Sequence, residues 1–210
     1  MPSAQSVVLS CAGIGSRLGL AQTKALVQIM GKSLIGWQME IFSNVEDLRI
    51  VVGYQAMDVV REVRKYRNDV IFVYNHNYFR TKTGHSFVLG GRHGNELLVE
   101  WDGDLLVHPE DAARLLALRE EYIAYTDPSS DEPVFVDVDE ADNVVRFSRE
   151  QGKYEWTGPC CLKKSRLTEC GEDVFQLLEP HLPMRGIKIR ARDIDTYDDF
   201  KRAEAFIRSW

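Results

Sequence analysis

The apolar positions of this chain fall into two kinds of run, and their order changes along its length. In the first half, short stretches of apolar residues alternate with stretches spaced like a helix. Residues 6–11 (SVVLSC) read as a strand that runs into a glycine-containing loop. Residues 33–43 (SLIGWQMEIFS) place apolar side chains at helical spacing, with Ser33 as a cap. A second strand is expected over 48–52, a charged surface helix over 56–66, a third strand over 70–74 and a fourth over 97–101. Residues 109–118 follow as a helix whose Pro-Glu-Asp opening suits the positive end of its dipole.

In the second half the pattern turns to short β-like pieces at 122–125, 134–138, 144–147 and 156–162, with DEADN (139–143) as a hairpin turn. A helix is expected over 172–178, a last strand over 187–191 and a closing helix over 198–208. There is no internal repeat and no low-complexity linker. Alternating strands and helices imply an α/β fold: a single Rossmann-like, mixed but mainly parallel sheet with helices on both faces and a small antiparallel extension. The reading is one domain over 1–210.

Composition narrows the partners. Hydrophobic residues make up 44% and charged residues 28% of 210, an ordinary balance for a globular protein. A net charge of -6 argues against nucleic acid, which wants a basic surface. The four cysteines, Cys11, Cys160, Cys161 and Cys170, show neither a disulfide framework nor zinc spacing. Reduced thiols in the cytoplasm are therefore expected. The N-terminus lacks the form of a signal peptide, and no apolar run approaches the roughly 20 residues of a membrane helix. A homodimer is left open.

Candidate chemistry starts at LSCAGIGSRLG (9–19). A glycine-rich loop after a strand lets backbone N–H groups approach a phosphate. The dinucleotide fingerprint fails: Gly13 and Gly15 fit, but Leu18 stands at the third glycine position. The Gly-Lys-Ser/Thr of a Walker loop is also absent. Basic residues follow instead, Arg17 and then Lys24. Arg17 can grip phosphate oxygens with two donors and Lys24 supplies a mobile point charge. Both suit charge developing on the α-phosphate of a triphosphate.

These residues resemble a family. VVLSCAGIGSRLG…TKALVQIMGKSLIGWQME is similar to the opening of nucleotidyltransferases that activate sugar phosphates and alcohol phosphates, with the signature L-x-A-G-x-G-x-R-L, a spacer and P-K-x-L. Ala12, Gly13, Gly15, Arg17, Leu18, Lys24 and Leu26 stand on its positions; Ser10-Cys11 replaces a small apolar pair and Thr23 replaces the proline. VYNHNYFRTKTGHSFVLG resembles the N-x-x-Y…N-G-x-S-l segment of the branch making CDP-linked alcohols, which includes phosphocholine and inositol-phosphate cytidylyltransferases. Asn75, Tyr78, Gly84 and Ser86 match, with Thr83 in place of asparagine. WDGDLLV resembles the family's D-x-D loop, and RDIDTYDDFKRAEAFI its closing segment. The resemblance implies catalytic roles for Arg17 and Lys24, and nucleotide contacts from Ala12, Gly13, Gly15, Ser16, Asn75, Gly84 and Ser86.

The acidic loops have two readings. LLVEW-DG-DLLVH has the pattern of a two-residue β-hairpin with Asp-Gly as a type I′ turn. Against that, a helix follows soon after, and a second acidic pair, Asp193 and Asp195, also ends a strand. Carboxylates from two strand ends, Asp102 or Asp104 with Asp195, would hold Mg²⁺ together with phosphates. Asp198 and Asp199 read as helix-terminus acids. Arg80 and Lys82 are either ligands of an acceptor's phosphate or solvated loop charges. His85 is placed near substrate by its neighbours, and Trp156 is either a pocket wall or a half-buried strand aromatic.

The expected function is a Mg²⁺-dependent nucleotidyltransferase of the EC 2.7.7 type. It would transfer NMP, with CTP the favoured donor, to a phosphorylated or phosphonate small molecule. An anionic acceptor needs no strong general base, which fits the lack of a Ser-His-Asp or Cys-His constellation. The alternatives are a sugar-1-phosphate nucleotidyltransferase using another NTP, and a noncatalytic nucleotide-binding module.

Overall fold

A computed structural model describes residues 4–15, 22–130, 132–168 and 172–210. In chain order the elements are β1 (Gln5–Cys11), β2 (Gln28–Ile29), β3 (Lys32–Ser33), α1 (Leu34–Ile41), β4 (Leu48–Val52), α2 (Ala56–Val63), β5 (Ile71–Tyr74), α3 (Thr83–Gly91) and β6 (Leu97–Asp102). They continue with β7 (Leu105–Val107), α4 (Pro109–Ala117), β8 (Tyr122–Thr126), β9 (Phe135–Val138), β10 (Asn143–Ser148), β11 (Tyr154–Lys163), α5 (Val174–Leu178), β12 (Met184–Lys188), β13 (Ala191–Asp193) and α6 (Tyr197–Ile207).

Among the described residues, nine strands form one sheet in the order β5-β4-β1-β6-β11-β8-β12-β10-β9. The first four are parallel. β11 then enters antiparallel between β6 and β8, β12 lies parallel to β8, and the β9–β10 hairpin is antiparallel. The α/β class and mixed sheet are as expected, but the sheet is not mainly parallel: beyond β6 only β12 with β8 is parallel, and the other pairings, all those of β11 included, are antiparallel. The turn at 139–143 forms as read: Asp139 Oδ1 accepts from the N–H groups of Ala141 and Asn143 at 2.9 and 2.8 Å.

The sheet is apolar on both faces. Val7, Leu9, Leu48, Ile50, Val99 and Trp101 point to one core, which Ile35 of α1 and Phe42 at its C-cap, Val59 and Val63 of α2 and Leu115 of α4 complete. Val8, Val51 and Leu98 point to the other, closed by Phe87 and Val88 of α3 and Leu177 and Leu178 of α5. Helix starts follow the local chemistry. The Ser33 hydroxyl accepts from Gly36 N at 3.1 Å, and Thr196 with Asp199 forms a capping box on α6. Asp199 is thus the helix-terminus acid that was expected.

Three features depart from the sequence pattern. α3 forms where the sequence pattern assigns no element; its TGHSFVLGG sequence is a poor helix former, yet Gly90 packs so close to the sheet that a Cβ would lie 2.5 Å from Val8. The strand expected over 187–191 divides into β12 and β13, which belong to different sheets. The Asp-Gly hairpin does not form. Gly103 is not in the left-handed region a type I′ turn needs, and β7 pairs antiparallel with β13 rather than with β6.

Candidate functional site

The β7–β13 pairing builds the site. Its register, Leu105 opposite Asp193, and the bond from Ile194 N to Asp104 O at 3.2 Å bring the two acidic loops together from positions about ninety residues apart in sequence. Both then lie beyond the carboxyl end of β1. The D-G-D loop crosses that end closely: Gly103 N donates to Ser10 O at 2.9 Å, and a Cβ at Gly103 would lie 2.6 Å from Cys11 Sγ. Gln38, buried on α1, braces the loop by donating to Asp102 O at 2.8 Å and to Leu105 O at 3.0 Å.

Lys24 is the cation of this cluster. Its ammonium donates to Asp104 Oδ2 at 2.6 Å and also to Asp195 Oδ1. Only 13% of its side chain is exposed. Burial alone would lower the Lys24 ammonium, but the Asp104 and Asp195 carboxylates outweigh it and raise it. Thr23, standing where the family signature has proline, locks this segment with bonds proline could not make in full. Its N–H donates to Gln55 Oε1 at 2.8 Å and its hydroxyl to Gly13 O at 3.2 Å. The lysine is thereby tied to the glycine loop, where Gly15 takes a φ of 69°.

Asp102 shares a cleft with Lys24, but the hydrogen bonds of the ammonium go to Asp104 and Asp195. Asp102 faces β11, where a register shift between Trp156 and Cys160 coincides with Gly158 at φ 107°. A Cβ there would come 2.8 Å from Asp102 Oδ2, so glycine is required on both counts. Burial, then the neighbouring Asp104, pushes the Asp102 carboxyl up to about 7, against the lowering by Lys24. Burial, then Asp104 and Asp102, raises Asp193 well above the carboxylate range. Glu100, fully buried two residues earlier on β6, is also raised well above that range, first by burial and then by Asp102.

A raised carboxyl favours folding at low pH, and that contribution is lost as pH climbs from the unfolded value, about 4, through the folded one. Asp102→Asn is therefore expected to melt above wild type at pH 8 in EDTA, with the gap narrowed at pH 5, partway through that window. Parallel melting curves at both pH values would show that Asp102 carries no such burden.

Three clefts meet here. One is lined by Ser10, Gly13, Gly15, Lys24, Thr83 and Asp104. A second is lined by Ala12, Gly13, Asn75, Tyr78, Thr81 and Ser86. The third, on the β11 side, is lined by Thr83, Asp102, Arg149, Trp156, Gly158, Asp173 and Asp193. Thr83 borders all three. Ala12, Gly13, Gly15, Lys24, Asn75, Ser86, Asp102 and Asp104 of the sequence-derived set thus line the first two clefts or their junction, while Asp195 borders a neighbouring recess with Lys82 and Trp156. Ser16 and Arg17 lie outside the described residues. Asn75 is buried and spends its amide internally, donating to Thr81 Oγ1 at 3.1 Å and Ser86 Oγ at 3.2 Å. Gly84 lines none of these three clefts; its N–H donates to Glu172 O at 2.8 Å. Arg80 is exposed, whereas Lys82 borders the second cleft and the recess with Asp195. His85 borders none of them. Trp156 meets both of its readings, packing on Phe147 at 5.7 Å and walling the third cleft.

Gln38, Arg149 and Asp173 belong to the site without having been expected from the sequence. Gln38 carries a faint signal, a polar residue on the apolar face of a helix; the others carry none. Cys11, Cys160 and Cys161 are free thiols, and Cys170 lies outside the described residues. No described helix is long and apolar enough to cross a membrane.

The sequence model of the MobA-like NTP transferase domain matches residues 7–165, which takes in the glycine loop, Lys24 and the D-G-D loop. The chain belongs to this family. Solved structures of sugar- and alcohol-phosphate nucleotidyltransferases share the fold of this NTP transferase domain. The CTP:phosphocholine cytidylyltransferase LicC from Streptococcus pneumoniae superposes with a TM-score of 0.78 at 17% identity, covering 97% of this chain and 99% of that one. The inositol-1-phosphate CTP transferase from T. maritima gives 0.78 at 19%, covering 95% and 92%. A putative glucose-1-phosphate thymidylyltransferase from Bacillus anthracis gives 0.79 at 15%, covering 99% and 96%. No curated protein matches the chain by sequence.

Proposed function

We propose that the chain, working as one domain, transfers a nucleoside monophosphate, with CMP from CTP favoured, to the phosphate or phosphonate of a small-molecule acceptor and releases pyrophosphate. The observation that carries this reading is the Lys24 ammonium held between carboxylates from two strand ends, beside a glycine loop. The acceptor's oxygen attacks the α-phosphorus in line, the α–β bridging bond breaks, and its electrons leave with pyrophosphate. The nucleophile is already anionic, so the site's task is alignment and neutralisation of charge. The glycine loop offers N–H groups, Arg17 and Lys24 offer positive charge, and the cleft on the β11 side takes the acceptor.

The donor set fits Mg²⁺, a hard ion that takes oxygen ligands and is commonly held by one or two carboxylates plus phosphates. Asp104 and Asp195, which already converge on one cation, would hold it, with Asp102 alongside. Among the described residues no set of three side chains stands ready as a metal site, so nucleotide phosphates and water would complete the shell. When bound, the ion supplies neutralisation of the triphosphate that Arg17 and Lys24 cannot complete alone.

The preference for CTP is supported by the resemblance of the 75–86 segment to the CDP-alcohol branch, and by two structural neighbours whose names carry CTP. With equal concentrations of CTP, UTP, GTP, ATP and dTTP and a panel of phosphorylated alcohols, sugars and phosphonates, CTP is expected to be consumed first. A clear preference for GTP, UTP or dTTP with a hexose phosphate would move the protein to the sugar branch. Nucleotide binding without pyrophosphate release across the panel would make it a binding module.

A further inference from the structure

Two cations from different elements reach the same carboxylate oxygen on the wall of the β11-side cleft. Lys82 immediately precedes α3, and Arg149 immediately follows β10. Lys82 Nζ lies 3.2 Å from Asp173 Oδ2, and Arg149 Nη2 lies 3.1 Å from that same oxygen. Lys82 also pairs with Glu172 at 3.0 Å, and the Arg149 guanidinium lies over the Phe175 ring at 5.2 Å. The two cationic side chains are 54% and 56% exposed, and Asp173 is 27% exposed.

This is a poor device for stability. Ion pairs this exposed contribute little, and each holds a long side chain in one geometry. It is a good device for recognition. Two donors converge at about 3 Å on one anionic oxygen, as a phosphate oxygen requires. The position is also right: Asp173 and Thr83 border both the β11-side cleft and the cleft that holds Asn75 and Ser86.

We propose that Lys82 and Arg149 form the seat for the acceptor's phosphate or phosphonate, and that Asp173 fills this seat in the free protein as an internal counter-ion which the acceptor displaces. The word acceptor rests on the nucleotidyl-transfer reading above; the anion seat itself does not. A phosphate carries about -1.5 to -2 at pH 7, so it outcompetes a single carboxylate for the two cations. A neutral or singly charged compound gains nothing by the exchange. Asp173 therefore acts as a filter for dianionic acceptors.

Asp173→Asn tests this while keeping a good N-cap residue ahead of α5. Inorganic phosphate, titrated calorimetrically without nucleotide or metal, is expected to bind about three- to tenfold tighter to Asp173→Asn than to wild type, the gain from releasing two exposed pairs. Arg149→Gln and Lys82→Gln should each weaken phosphate binding, and Arg149→Gln should cancel the gain when combined with Asp173→Asn. In turnover assays the acceptor KM should fall in Asp173→Asn and rise in the two glutamine variants, with the KM for NTP unchanged. If Asp173→Asn leaves phosphate binding unaltered or weakens it, the seat is wrong. A raised acceptor KM in that variant would make Asp173 a ligand of a cationic group instead, and likewise overturn the proposal. If phosphate binding responds as expected but no NTP is consumed with any acceptor, the seat stands and the transfer reading falls.

Discussion

Lys24→Ala is expected to lower the rate of pyrophosphate release by about 10²–10³-fold, the usual cost of one charge-stabilising contact in an electrostatic site. The effect should fall on kcat, because the α-phosphate gains negative charge only as the bond to pyrophosphate stretches. A structural consequence accompanies it. In EDTA the variant leaves Asp104 and Asp195 without the ammonium they share, so it should melt below wild type, and added Mg²⁺ should narrow the gap. Stopped assays at saturating NTP, with melting curves in EDTA and in Mg²⁺, separate the two consequences. A folded Lys24→Ala protein with wild-type turnover would remove the phosphate role of this lysine.

Asp104→Asn and Asp195→Asn are expected to cost at least the 10–100-fold that accompanies loss of a group supporting a metal site from one shell further out. Both should also shift the Mg²⁺ needed for half-maximal activity upward. Asparagine keeps the shape and offers an oxygen, but removes the charge a hard dication binds. Asp104 and Asp195 each lie against Lys24, and Asp199 holds the backbone of the second loop by accepting from Thr196 N at 2.8 Å. The substitutions therefore change charge on a fixed frame. The measurement is activity across a Mg²⁺ titration, paired with the thermal shift produced by NTP plus Mg²⁺ over NTP alone. Normal activity, metal dependence and thermal shift in either variant would exclude that residue as a ligand.

Much of this protein is local in origin and legible in the chain. β4 forms over its expected residues, 48–52, and α1 and α4 start where Ser33 and the Pro-Glu-Asp sequence place them, because caps and apolar periodicity act within a few residues. The glycine loop followed by Lys24 was legible for the same reason: a strand, a turn and a cation are contiguous. Tertiary structure decided the rest. Strands that are apolar on both faces carry no alternation to fix their neighbours, so the chain does not reveal that β11 enters antiparallel beside β6. α3 was hidden because its glycines are unfavourable in an isolated helix, while close packing of Gly90 on Val8 and of Gly91 on Leu98 calls for them. The D-G-D stretch reads locally as a hairpin; only β13, arriving from far along the chain to pair with β7, turns it into one wall of an acidic site. That pairing also determines that Lys24 lies between Asp104 and Asp195. Long-range contacts of this kind depend on which surfaces bury together, and no short window of sequence contains both partners.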